Sequence, residues 1–267
     1  MRPFPYIYGS NNKKDPCRLC NRTEFKNKFH YHLSTMEARS VILASHSVRS
    51  FCVTCKKKHS FQTNNRLKVL VSSSTMHGAY QHQDYQADFH IDQLTIPGAT
   101  TRMARLNFQL DYEDIRTDMD VLVVIGLNDV KRTSIKSLRA EVRLWKNWME
   151  IHGTKHNLRH TLAFTETLRP PQYVWFKQDG PTPSNHVCYE QKLKDINAIF
   201  RAHNDEVFQP NMVLSLHNDG RRGLKKGKEK HLWNLWREED KGNMLHLSDS
   251  ARVSVLKRIE VFFKLNN

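Results

Sequence analysis

Leu67-Lys68-Val69-Leu70-Val71-Ser72-Ser73-Ser74-Thr75-Met76-His77-Gly78 is the stretch on which the reading of this chain turns. An apolar run of strand character stops abruptly at three serines, then enters a turn that reaches a glycine. Open α/β sheets carry their chemistry at the carboxyl edge of the strands, and a serine there is a candidate nucleophile.

Outward from this stretch, strand and helix patterns alternate. Residues 90–96 read as a second strand, ended by Pro97-Gly98. Residues 102–112 form a helix that puts Met103, Leu106 and Leu110 on one face. Residues 119–125 are nearly continuous in apolar side chains, as a strand covered on both faces requires. Thr133 or Ser134 caps the next helix, whose stripe is Ile135, Leu138, Val142, Trp145 and Met149. Residues 160–165 are a fourth strand and 212–216 a fifth, with a helix marked by Leu193, Ile196 and Phe200 between them. Ser248 caps a last helix with inner positions Val253, Leu256, Ile259 and Phe263. This alternation predicts an α/β fold over residues 63–267: three layers, αβα, around a parallel, flavodoxin-like five-stranded sheet.

Residues 1–62 read differently, as a small basic module. Cys17-Arg18-Leu19-Cys20 and Cys52-Val53-Thr54-Cys55 are two knuckles. A two-residue gap lets both thiolates of a pair reach one ion, and two pairs complete a tetrahedron. Cys17, Cys20, Cys52 and Cys55 are therefore the expected ligands of a structural zinc, with His30, His32 and His59 as alternatives for one thiolate. The segment has few large apolar residues, so a metal staple suits it. Its lysines and arginines are interleaved with Phe25, Phe29, Tyr31 and Phe51. That pattern serves either phosphate pairing with base stacking or a small aromatic core. The partner is nucleic acid or protein.

The formal charge of +15, with fifteen histidines besides, points to an anionic partner or a solvated basic surface. Five Trp and thirteen Phe exclude a disordered chain. No apolar run approaches the ~20 residues of a membrane span. Met1-Arg2-Pro3-Phe4-Pro5 lacks the apolar centre of a secretory signal, and the paired cysteines suit reduced thiols. An intracellular protein, cytoplasmic or nuclear, is expected.

Acyl transfer by serine needs a nucleophile, a base, an oxyanion hole and a group that orients the base. One oxyanion donor is worth ~3–4 kcal/mol. Ser74 follows the first strand, Gly98 the second, and Asn128 the third in Gly126-Leu127-Asn128-Asp129. His246 lies just before the last helix, in Asn243-Met244-Leu245-His246. Taken singly, each is also an ordinary turn or cap residue.

Together these four blocks resemble the SGNH, or GDSL, hydrolases over residues 66–263. Those proteins carry a strand with Gly-Asp-Ser, then a lone Gly, then Gly-x-Asn-Asp, then Asp-x-x-His. The resemblance implies that Ser74 is the nucleophile of an ester hydrolase and His246 its base. It also implies an oxyanion hole made of the Ser74 amide, the Gly98 amide and the Asn128 side chain. Catalysis of this kind uses no cofactor. Three positions depart from the pattern: Ser72 and Ser73 precede the nucleophile, and Asn243 replaces the carboxylate that orients the base. A Ser–His dyad, with a backbone carbonyl or Asp240 steadying the ring, is one consequence. A catalytically impaired scaffold that binds nucleic acid or another ligand is the alternative. An esterase-like domain beside a basic Cys/His segment is also similar in arrangement to proteins of retrotransposons and related mobile or viral elements.

A third chemistry, metal-dependent hydrolysis, rests on His152, His156 and His160, four residues apart. Gly153 weakens a helix there and occupies the place of the glutamate of a zinc-protease motif, and His160 reads as the start of a strand. The basic connection 218–242 faces an anionic ligand or solvent.

Overall fold

The computed structural model describes residues 48–49, 66–73, 91–167 and 183–207, together with Val255, Ile259, Glu260 and 262–264. The elements are strand β1 (Val48–Arg49), β2 (Leu67–Ser72), β3 (Ile91–Thr95), helix α1 (Thr101–Tyr112), β4 (Met119–Val124), α2 (Leu127–Arg132), α3 (Ile135–His156), β5 (His160–Phe164) and α4 (Pro183–Val207). The proposed zinc ligands, Ser74, Asn243, His246, the predicted strand 212–216 and the Ser248 cap lie outside the described residues.

The strands stand in the order β1-β3-β2-β4-β5. β3, β2, β4 and β5 are parallel, so the first four strands of the αβ alternation follow the flavodoxin-like order. Ser72 is level with Thr95 on one side and Val124 on the other. The carboxyl ends of β2, β3 and β4 therefore finish on one line. β1 pairs antiparallel with the outer edge of β3, Val48 against Thr95. The sequence reading left this pairing out, because residues 48–49 fall within its N-terminal module.

Both faces of the sheet are buried, as the unbroken apolar strands predict. Val69, Val71, Val121, Val123, Leu162 and Phe164 belong to one core with α1, α3 and α4. Leu70, Leu122 and Ala163 point the other way and are also buried. The architecture is the expected three-layer αβα. Val255, Ile259, Phe262 and Phe263, at or beside the positions expected of the last helix, are helical and buried. Among the described residues no helix is long and apolar enough to cross a membrane.

The predicted helical stripes hold on α3 and α4. Leu138, Val142, Trp145 and Met149 are buried, as are Leu193, Ile196 and Phe200. Burying one large apolar side chain contributes about 1.5–3 kcal/mol. Ser134 is the cap of α3, its hydroxyl accepting the Ser137 amide at 3.1 Å. On α1 the inner face is rotated from the one expected. Thr101, Ala104, Phe108 and Tyr112 face inward at spacings of three and four residues, beside Met103, which is buried as expected, while Leu106 and Leu110 are only half-buried. The aromatic rings decide that rotation: Phe108 stacks on Tyr112 at 4.5 Å and packs against Trp145 at 5.1 Å. The Tyr112 hydroxyl then reaches the buried Asp92 carboxylate.

Candidate active site

The turn from β3 into α1 is Ile96-Pro97-Gly98-Ala99-Thr100. The Ala99 amide donates to the Ile96 carbonyl at 3.2 Å, and the Thr100 hydroxyl caps α1 by accepting the Met103 amide. Gly98 has φ +70°, a conformation that disfavours any Cβ. Among the described residues, no atom would lie within 4 Å of a Cβ there. Glycine is therefore required by backbone conformation, and no described residue fills the space in front of it.

The turn from β4 into α2 is built oppositely. Gly126 has φ +119°, and a Cβ would lie 2.0 Å from Thr167 Oγ1 and 3.2 Å from the Phe200 ring. Here glycine is demanded by both conformation and packing. The Thr167 hydroxyl takes that space and donates to the Ile125 carbonyl at 2.8 Å.

Three side chains of α2 hold the Gly98 turn. Arg132 donates to the Gly98 carbonyl at 3.3 Å and Asn128 to the Ala99 carbonyl at 3.1 Å. These two are one helical turn apart, so they share a face. Asp129, fully buried, accepts from the Thr101 amide and hydroxyl at 2.9 Å each and from the Thr133 hydroxyl at 2.6 Å. Burial pushes the Asp129 carboxyl up, and the hydrogen bonds from Thr133 and Thr101 oppose that. The sequence reading singled out Gly98 and Asn128 separately. The fold brings them to adjoining turns at the carboxyl edge. It also adds Asp129 and Arg132, which the Gly-x-Asn-Asp motif and the i, i+4 spacing from Asn128 were the signals to find.

At the end of β2 the hydroxyl of Ser72 is committed to the sheet. Gln93 Nε2 donates to Thr95 Oγ1 at 2.7 Å, and Thr95 Oγ1 and Ser72 Oγ share a hydrogen bond of 2.9 Å that either hydroxyl can donate. Ser73 is buried and its amide donates to the Val124 carbonyl at 3.3 Å. Ser72 and Ser73 are thus structural in their positions.

β5 is followed by Thr165-Glu166-Thr167, a polar run of which only Thr165 was expected, as the last residue of the fourth strand. Asn197 of α4 receives the Thr167 amide at 2.8 Å and donates to its carbonyl at 3.2 Å. Glu166 pairs with Arg201 at 3.0 Å. These contacts fix the strand end against α4.

The histidines of the metal reading lie at the other edge of the sheet. α3 runs through Gly153 to His156, and glycine is demanded at 153 because a Cβ would lie 2.8 Å from the Leu158 carbonyl oxygen. The Met119 amide donates to His160 Nδ1 at 3.2 Å, so His160 Nε2 carries the proton toward His152 Nδ1 at 2.9 Å. His152 Nε2 then donates to the Glu113 carbonyl at 3.1 Å. All four ring nitrogens are engaged within the protein. Among the described residues no group of three His, Cys, Asp or Glu is placed to hold a metal ion. Beside this pair, Arg66 ties Asp120 at 2.8 Å, Asp118 at 3.3 Å and Thr161 at 3.0 Å. Burial pushes the Asp120 carboxyl up, against the pull of Arg66.

No family model and no curated protein matches the chain. Solved structures do. A GDSL-like lipase from Bacteroides thetaiotaomicron is similar with a TM-score of 0.50 at 13% identity, over 86% of this chain and 98% of that one. An esterase, EstA, from a psychrotrophic Pseudoalteromonas, in a form inhibited by monoethylphosphonate, has a TM-score of 0.46 at 16% identity over 75% and 99%. The OSK domain of Drosophila Oskar has 0.47 at 16% over 76% and 91%. At such identity the likeness to the lipase is one of fold, and it agrees with the three-layer α/β architecture expected from the sequence.

Proposed function

We propose that this chain is a serine ester hydrolase of the SGNH type joined to a basic N-terminal zinc module. Ser74 is the nucleophile. His246 removes its proton as it attacks the ester carbonyl and returns that proton to the leaving alcohol. A water deprotonated by His246 then releases the acid from Ser74. The Ser74 amide, the Gly98 amide and the Asn128 side chain receive the negative oxygen of each tetrahedral intermediate. The observation that carries this reading is the 3.1 Å hydrogen bond from Asn128 to the Ala99 carbonyl. It holds a side-chain amide, which carries a second N–H, beside the Gly98 turn at the carboxyl edge.

Asn243 stands where a carboxylate orients the base, so His246 works as one half of a dyad or of a degenerate triad. In a serine protease the equivalent loss lowers turnover by about 10⁴, so slow turnover is expected. This same residue favours a second reading, in which the scaffold binds a ligand or nucleic acid without turnover. The two separate on hydrolysis of p-nitrophenyl butyrate by wild type and Ser74→Ala. A rate lost with Ser74 supports the enzyme; equal rates rule it out.

The basic charge supports a distinct role for the N-terminus. Residues 1–65 hold twelve Lys and Arg against three Asp and Glu, whereas residues 91–167 hold eleven against ten. The anionic or protein partner is assigned to the module that Cys17, Cys20, Cys52 and Cys55 close around zinc, and nucleic acid is the partner its charge suits best. Cysteine usage fits a reducing compartment, cytoplasm or nucleus. Zinc content of one ion per chain, lost on replacing Cys17 and Cys20 by serine, tests the module.

A further inference from the structure

We infer that Arg132 forms a subsite for a negatively charged group, carboxylate or phosphate, on the ester that this site takes. The inference rests on the ester-hydrolase reading above and gives it a substrate class.

Arg132 is exposed at the end of α2 and, among the described residues, makes one hydrogen bond, 3.3 Å to the Gly98 carbonyl. That contact holds the guanidinium at the rim of the turn whose Gly98 has no described residue within 4 Å of its Cβ position. It uses one of five N–H donors and leaves the rest of the fork available. No carboxylate among the described residues pairs with it. The arginines of neighbouring α1 are different: Arg105 meets Glu141 at 2.9 Å and Arg102 approaches it at 4.0 Å. Lys131, the preceding cation, sits 5.2 Å over the Tyr189 ring. The acid nearest in sequence, Asp129, is buried and already accepts three hydrogen bonds. Arg132 is thus a positioned guanidinium at the carboxyl edge with no acid of the described residues against it, and such a fork recognises carboxylate and phosphate by paired N–H donors.

The test compares two esters of similar length, p-nitrophenyl butyrate and mono-p-nitrophenyl succinate, on wild type, Arg132→Gln, Arg132→Lys and Ser74→Ala. The readout is the ratio of kcat/KM for the charged over the neutral ester. Wild type is expected to favour the charged ester, and Arg132→Gln to lower the ratio about three- to fivefold, the scale of an exposed charge pair. Arg132→Lys retains part of the preference, and added salt reduces it in wild type. A purely structural Arg132 would slow both esters and leave the ratio unchanged, which overturns the inference while the hydrolase reading stands. Absence of Ser74-dependent turnover of the neutral ester overturns the hydrolase reading, and the subsite with it. Inorganic phosphate and succinate, as inhibitors of the neutral ester, show which anion the fork prefers; inhibition by both that is undiminished in Arg132→Gln counts against the subsite.

Discussion

Asn128 and Ala99 belong to different βα turns, and one hydrogen bond of 3.1 Å joins them. The side-chain amide of Asn128 is thereby fixed in direction before any substrate arrives. Preorganised donors of this kind spend no free energy on reorganisation at the moment of reaction. Asn128→Ala is expected to lower kcat for p-nitrophenyl butyrate by about 10²–10³ with little change in thermal midpoint. Kinetics and a melting curve on the same preparation check both halves.

Asp129 anchors the same clasp from below, and its loss acts on stability. Asp129→Ala leaves the Thr101 amide, buried behind it, without an acceptor. The expected cost is about 2–4 kcal/mol of unfolding free energy, read as a lower urea midpoint at unchanged slope. Thr133→Val removes only one of the three donors and is expected to cost less.

Gly98 and Gly126 share positive φ but differ in surroundings, so alanine separates them. Gly98→Ala meets no atom of the described residues, so the backbone strain, about 1–2 kcal/mol, is its expected cost. Gly126→Ala adds an overlap with Thr167 and Phe200 and is expected to cost clearly more. Denaturant titration of the two variants should rank them in that order.

The fold was legible wherever burial set the pattern. Residues 119–125 read as a doubly covered strand because both faces of Val121–Val124 are buried. The stripe on α3 read correctly because Leu138, Val142, Trp145 and Met149 are all apolar. On α1 the inner positions include Thr101 and Asn107, which are polar and satisfied by Asp129 and the Met103 carbonyl. The hydrophobic pattern therefore places Met103 correctly, but gives the inner face to Leu106 and Leu110, which are only half-buried. α2 was read only as a motif, since six residues are too short for a periodic signal. The clasp of Arg132 and Asn128 on Gly98 and Ala99 was beyond the sequence, because it joins residues about 30 positions apart through backbone carbonyls.

The paired histidines predict acid lability at the amino edge of the sheet. Burial, followed by the neighbouring His152, pushes His160 down to about 4, and burial lowers His152 as well. A histidine depressed in the folded state binds its proton more tightly when unfolded. Its contribution is complete above the ordinary value near 6.5 and is lost as pH falls toward 4. Protonating His160 would also set an N–H against the Met119 amide. Stability is expected to fall between about pH 6.5 and 4, and His160→Gln to flatten that slope. Urea midpoints across the range measure it.

The central claim is that Ser74 is an activated nucleophile on this scaffold. A fluorophosphonate probe followed by peptide mass spectrometry addresses it without knowledge of the substrate. The account predicts one adduct, on the peptide carrying Ser72-Ser73-Ser74, located on Ser74 and lost in both Ser74→Ala and His246→Ala. A wild-type protein that stays unlabelled, or labels equally after either substitution, would contradict it.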